Sequence, residues 1–165
     1  SQSLIDCSIL ARIGSLIAWI FAPLGWGNWK AAVASITGLV AKENIVGTLG
    51  ILYGGGDETV YQALGTVFTQ ISGYSFLVFN LLCAPCFAAI GAIKREMNNA
   101  KWTWFAIGYQ CGFAYLCALM VNQFGKAFTG SLNVIGLVAA IAALAFIIYM
   151  LVRPYKEATK LSTKV

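Results

Sequence analysis

Long apolar runs separated by short polar breaks dominate the hydrophobic pattern of this chain. Residues 31–53 form one run that is long enough to cross a bilayer. Similar runs occupy residues 75–93, 102–124 and 132–152. The pattern therefore predicts an all-α membrane protein with about four transmembrane helices.

The other segments are shorter or more mixed, and they predict interfacial or re-entrant helices. Residues 4–22 begin with charged positions and become apolar only after Arg12, so an interfacial or half-inserted helix competes with a crossing. Residues 23–29 contain proline, glycine and a tryptophan pair, which predicts a break at the membrane interface. Residues 59–74 are uncharged but rich in threonine, glutamine and serine, which predicts a surface or re-entrant segment.

Composition supports a membrane protein and narrows the function classes. Hydrophobic residues make up 59% of the chain and charged residues only 10%, whereas soluble domains carry about 25% charged residues. The net charge is +5, but the basic residues cluster at residues 94–101 and 153–165. This placement favours membrane orientation with a cytoplasmic C-terminus over nucleic-acid binding. The chain has no histidine, which excludes imidazole chemistry within it.

Two adjacent charges interrupt the run at residues 31–53. Lys42 and Glu43 fall at its midpoint. A charge at the centre of a membrane helix costs about 2.5–3.5 kcal/mol on insertion scales. Such residues normally face a protein interior or a wet cavity, so we interpret this pair as a candidate functional site. The alternative is that each charge anchors the helix to a neighbour through a buried ion pair.

Helical spacing gives the pair polar surroundings. On a continuous helix Glu43 shares a face with Gly47, Gly50 and Gly54. A polar stripe lies beside that face, formed by Thr37, Asn44 and Thr48. A glycine face either receives another helix closely or leaves room for a permeant species.

The segment Cys83-Ala84-Pro85-Cys86 is the second candidate site. Pro85 removes a backbone hydrogen bond, and the carbonyl freed one turn earlier together with cysteine sulfur would suit a transient metal ion. A redox-active disulfide and two inert small side chains are the alternatives. We interpret Cys7, Cys111 and Cys117 as packing residues.

Several motifs, taken in order, resemble the second gate motif of the ferrous iron transport protein FeoB family. They extend from about Ala11 to Gly125. The motifs are Phe21-Ala22-Pro23-Leu24-Gly25, Trp29, Thr37-Gly38, Ala41-Lys42-Glu43, Thr48-Leu49, Leu52-Tyr53-Gly54, Pro85-Cys86 and Ala92-Ile93-Lys94-Arg95-Glu96.

The resemblance implies the C-terminal membrane portion of a GTP-dependent Fe(II) uptake transporter, lining or gating the ion pathway. Cys86 matches the gate-adjacent cysteine of the family, whereas an aromatic residue is frequent at the position of Cys83. Together with the chemistry of the residues this gives Glu43, Cys86 and Cys83 as candidate metal ligands, with Fe(II) as the transported ion and no permanently bound cofactor. Pathway or gating roles fall on seven residues: Thr37, Gly38, Lys42, Asn44, Gly47, Thr48 and Pro85.

The implied partners are the lipid bilayer, Fe(II), and an N-terminal GTPase domain and first gate elsewhere in the parent protein. The expected location is the bacterial cytoplasmic (inner) membrane. A homo-oligomer is compatible with the resemblance but is not implied by it. We expect a gate segment at residues 1–58 and closing transmembrane helices at 59–165, with no enzyme activity because no phosphate-binding loop occurs here. Two alternatives remain: a gate-type transporter of an organic solute such as a nucleoside, and a membrane thiol oxidoreductase that uses Cys83 and Cys86.

Overall fold

The computed structural model describes residues 9–38, 44–53, 57–83, 86–130 and 133–154, and their regular structure is entirely helical. The all-α fold is therefore confirmed. The elements are α1 (Ile9–Phe21), a 3₁₀ turn (Ala22–Leu24), α2 (Trp29–Thr37), α3 (Asn44–Tyr53), α4 (Asp57–Val67), α5 (Gln70–Leu82), α6 (Phe87–Met97), α7 (Ala100–Phe128) and α8 (Val134–Val152).

Within the described ranges, two helices are long and apolar enough to cross a membrane alone. These are α7 and α8, which confirm the predicted spans at 102–124 and 132–152. Helices α5 and α6 form a third candidate span that is bent by 40° where the sequence places Pro85. Helix α1 has 13 residues and a length of about 20 Å, which is too short for a crossing of about 30 Å.

The predicted single span over residues 31–53 is wrong, because α2 and α3 form a helical hairpin. The amide nitrogen Nδ2 of Asn28 donates to the Tyr53 hydroxyl at 3.1 Å. In one continuous helix these two residues would lie about 37 Å apart. Helix α2 ends at Thr37, and the Ile45 side chain lies where a Cβ on Gly38 would stand. Residues 31–53 are long and apolar enough to predict one spanning helix. Hydropathy does not show that a helix ends within them, at Thr37.

An aromatic cluster forms the centre of the core. Phe21 stacks on Trp26 with ring centroids 4.4 Å apart, and the Trp26 ring meets Phe76 edge to face at 5.0 Å. Phe79 contacts Phe21 at 5.2 Å. Trp26 is only 3% exposed, so its ring packs inside the protein. Its ring is enclosed because α5 covers the break between α1 and α2.

Two amide side chains of α7 hold that break in place. The Pro23 carbonyl oxygen accepts hydrogen bonds from Asn122 Nδ2 at 2.8 Å and from Gln123 Nε2 at 2.9 Å. Tyr115, one to two turns earlier on α7, donates its hydroxyl to the Ile20 carbonyl at 2.8 Å. The chain reverses next to this clamp at Gly25, whose φ is +89°. A Cβ on Gly25 would collide with the Asn122 amide.

We expect Gly25→Ala to lower the free energy of unfolding by about 2–4 kcal/mol, because it adds left-handed strain and a clash with Asn122. Gly130→Ala is the matched control, since Gly130 also has a positive φ (+83°) but open space around it. The control should lose only about 1–2 kcal/mol. Equilibrium unfolding in detergent micelles measures both, and equal losses would contradict the proposed clamp geometry.

Candidate functional site

The hairpin of α2 and α3 is the candidate site, and its dimensions suit insertion to half depth. Helix α2 has 9 residues and α3 has 10. Each is therefore about 14–15 Å long, which is half of a hydrocarbon core of about 30 Å. Each helix is therefore too short to cross a bilayer, as are the half-helices of many transporters.

One end of the hairpin is polar and aromatic. We call Asn28, Lys30 and Tyr53 the hairpin base. Besides the Asn28–Tyr53 hydrogen bond, Lys30 Nζ lies 4.9 Å from the centroid of the Tyr53 ring and 5.7 Å from that of Trp29. Asn28 also caps α2, because its Oδ1 accepts from the Lys30 amide. Aromatic rings and a cation together are the side chains expected at a membrane interface.

The opposite end of the hairpin brings two predicted residues together. We call Thr37, Gly38, Asn44, Ile45 and Thr48 the hairpin tip. The Thr37 and Thr48 hydroxyls are hydrogen-bonded at 3.1 Å, and the Thr37 hydroxyl also contacts the Ala34 carbonyl at 2.9 Å. Asn44 is exposed and does not join this pair. The residues of the predicted polar stripe thus lie on two helices, Thr37 on α2 and Asn44 and Thr48 on α3, instead of on one.

The charged pair falls at the same end in the sequence. Lys42 and Glu43 lie outside the described residues, between the carboxyl end of α2 and the amino end of α3. The Ser35 hydroxyl is buried near this end and has no hydrogen-bond partner among the described residues. A buried polar atom without a partner is rare in native structures and is often functional. The hairpin tip therefore combines hydroxyls with two converging helix ends.

The two hairpin helices differ in how well they are covered. In α2, every side chain from Ala31 to Ser35 is buried. In α3, Leu49 and Leu52 are buried, but the glycine face remains open: a Cβ on Gly47 or Gly50 would have no described atom within 4 Å. The predicted glycine groove is thus not filled by any helix in the described part of the chain.

In the second candidate site, the cysteine contact differs from the predicted pair of Cys83 and Cys86. Cys83 follows α5, and its Sγ lies 3.7 Å from Sγ of Cys111 on α7. Cys86 precedes α6, and its carbonyl accepts from the Ile90 amide at 3.0 Å. The sequence indicates only a packing role for Cys111. That interpretation is incomplete, because α5 and α7 are antiparallel and their contacts set Cys111 opposite Cys83. Pro85 lies outside the described residues.

These cysteines do not complete a metal centre within the described chain. Among the described residues, no three or more His, Cys, Asp or Glu side chains lie together in a group that could hold a metal ion. Glu43, the third predicted ligand, lies outside the described residues. The metal assignment of Glu43, Cys83 and Cys86 therefore stays a prediction.

Comparison with known families identifies the site as a gate region. The family described as "Gate: Nucleoside recognition" matches residues 2–100. The chain belongs to this Gate family.

Similar proteins place this Gate chain beside iron transporters. It is 39% identical over 126 residues to the Fe(2+) transporter FeoB of Methanocaldococcus jannaschii, covering 76% of the chain and 19% of that protein. It is 36% identical over 124 residues to FeoB of Staphylococcus aureus strain COL (75% and 19%). It is 32% identical over 136 residues to a Porphyromonas gingivalis fusion of Fe(2+) transport protein A and FeoB (73% and 16%).

These matches confirm the predicted resemblance to a FeoB-type gate region. The Gate chain spans about a fifth of the length of the curated relatives it matches. No solved structure matches it.

Among the buried polar residues that sequence reasoning missed are those of the hairpin and of the clamp on Pro23: Ser35, Asn122 and Gln123. Asn122 and Gln123 carried a usable signal, because two adjacent amides near the end of an apolar span require partners in a membrane. Ser35 carried no distinct signal, since a single serine in a helix usually bonds its own backbone.

We expect the Thr37–Thr48 hydrogen bond to contribute about 0.5–1.5 kcal/mol to closure of the Gate hairpin. A double-mutant cycle with Thr37→Val and Thr48→Val, read by equilibrium unfolding in micelles, measures this coupling. Thr66→Val is the control substitution, because the exposed Thr66 hydroxyl contacts only its own helix, at the Ala63 carbonyl. Coupling between Thr37 and Thr48 no larger than that between Thr66 and Thr48 would argue against a closed tip.

Proposed function

We propose that this Gate chain is the membrane-embedded part of an Fe(II) uptake transporter and that its α2–α3 hairpin lines or gates the ion path. The observation that carries the proposal is the hairpin itself, which brings Thr37 and Thr48 together between two converging helix ends. Its relatives are named Fe(2+) transporters.

The residues at the tip have chemistry that suits a cation. Threonine hydroxyls and the last carbonyls of α2 offer oxygen dipoles, and Glu43 adds a negative charge at the same point in the sequence. A carboxylate attracts a divalent cation and offsets part of the water that the ion loses. Lys42 would bind a neighbouring anion or limit the net negative charge of the path.

The break between α5 and α6 would supply the second contact. Cys86 precedes α6 at a bend of 40°, and its side chain is partly buried. Thiolate sulfur binds Fe(II) along with other divalent metals, so Cys86 contributes affinity more than selectivity. Gly38, Asn44, Gly47 and Pro85 would shape this path rather than ligate the ion.

Energy coupling would come from outside this Gate chain. The proposal assigns GTP hydrolysis to a cytoplasmic domain of the parent protein and gives the Gate chain transport without an enzyme activity of its own. Lys94, Arg95 and Lys101 are exposed where α6 passes into α7, which favours a cytoplasmic position for that connection and for the C-terminus. The proposed location is the cytoplasmic membrane.

A nucleoside or similar organic solute is the second candidate substrate, because the matching family is described by nucleoside recognition. The thiol oxidoreductase alternative has less support. It requires Cys83 and Cys86 as its redox pair, whereas the Cys83 sulfur contacts Cys111.

We expect Glu43→Gln to reduce Fe(II) uptake at least about tenfold in the full-length transporter, because about 1.4 kcal/mol of lost ion stabilisation gives that factor. Cys86→Ser should reduce uptake by a smaller factor, since a hydroxyl still offers a weak ligand. Radiolabelled iron uptake at matched protein abundance measures both. Cys117→Ser on α7 is the control and should stay within about twofold of wild type. Unchanged uptake in Glu43→Gln would refute this site assignment.

We expect thermal unfolding of the purified chain to shift upward with Fe(II) and not with nucleosides, because binding to the folded state alone raises the melting temperature. Anaerobic melting curves with Fe(II), Mg²⁺ and uridine distinguish the two substrates. A shift with uridine alone would favour the organic-solute alternative.

A further inference from the structure

The contacts between α5 and α7 fix an antiparallel register that sets two cysteines face to face. The Ile71 side chain lies where a Cβ on Gly125 would stand, near one end of the helix pair. Farther along α5, the buried Ser75 hydroxyl donates to the Ala118 carbonyl at 2.8 Å. The next contact in this series is Cys83 with Cys111. The thiol pair is therefore a consequence of the helix register.

The geometry of the pair is close to that of a disulfide. The two Sγ atoms are 3.7 Å apart, so they must approach by about 1.7 Å to reach the bond length of about 2.05 Å. Cys83 lies just beyond the end of α5, where its side chain is not held within a helical turn. Both cysteines are in the thiol form and partly exposed on the protein surface.

We propose that Cys83 and Cys111 form an oxidant-sensitive site whose modification is a disulfide between α5 and α7, with a hydroperoxide as the oxidant. One thiol ionises and its thiolate attacks hydrogen peroxide, which breaks the O–O bond and forms a sulfenic acid; the leaving hydroxide takes up the released proton and becomes water. The second thiol then displaces the sulfenic hydroxyl, which forms the S–S bond and releases a second water molecule. In total two thiols lose two electrons and two protons, and hydrogen peroxide becomes two water molecules.

The bond has a mechanical consequence for the break between α5 and α6. Cys83 is the last described residue before that break, and Cys86 is the first after it. A disulfide to Cys111 ties the end of α5 to the middle of α7, so the break no longer moves independently of α7. This site does not depend on the transported substrate, because the register and the chemistry are the same for any solute.

The test treats the full chain in lipid nanodiscs with hydrogen peroxide, alkylates the remaining thiols and maps cross-linked peptides by mass spectrometry. The expected product joins the peptides of Cys83 and Cys111 with the loss of two hydrogen atoms, and dithiothreitol reverses it. Cys83→Ser and Cys111→Ser should abolish this product. Cys86→Ser and Cys117→Ser are matched controls that should retain it.

Two results would overturn the proposal. One is a peroxide-induced link between Cys83 and Cys86 in place of Cys111. The other is alkylation of both Cys83 and Cys111 after peroxide treatment of the folded wild-type chain. The wild-type map requires no variant, so misfolding of a serine variant does not obscure the answer. Iron uptake is not measured, so failure of the transport proposal leaves this result unaffected.

Discussion

The double hydrogen bond onto the Pro23 carbonyl is the constraint on which the rest of the fold depends. It fixes the turn after α1 to α7, the longest helix of the described chain. Because Trp26 and Asn28 follow that turn directly, the same clamp sets the position of the aromatic cluster and the start of α2. A polar contact of this kind is valuable in a membrane, since an unpaired carbonyl there costs several kcal/mol.

The hairpin follows from this anchoring. Helix α2 begins soon after the clamped turn, its side chains from Ala31 to Ser35 are buried, and it ends at Thr37 after about half a membrane thickness. The chain returns as α3, and the Asn28–Tyr53 bond brings its end back to the starting level. The Thr37 and Thr48 hydroxyls therefore meet at the end of the hairpin opposite its base.

Much of this structure could be predicted from the sequence, and the failures have a common physical cause. The uninterrupted apolar run of α8 and the α7 span follow from length and hydropathy alone. Hydropathy cannot separate a spanning helix from two half-helices of the same composition, so residues 31–53 were assigned one span. The motif match predicted the family correctly but not this geometry. Cys111 and Ser35 gained meaning only from tertiary register, which a single sequence does not encode locally.

The burial of α2 limits how this helix can move. Ala31, Ala32 and Ala34 are fully buried, and alanine has no rotamers to exchange. The helices packed on these alanines therefore contact side chains that cannot change rotamer. The interface cannot repack one side chain at a time. If α2 moves, it therefore moves as a rigid rod that slides against the helices packed on it, α1 and α3. Such a movement is a shear between whole helices and not a swing of individual side chains.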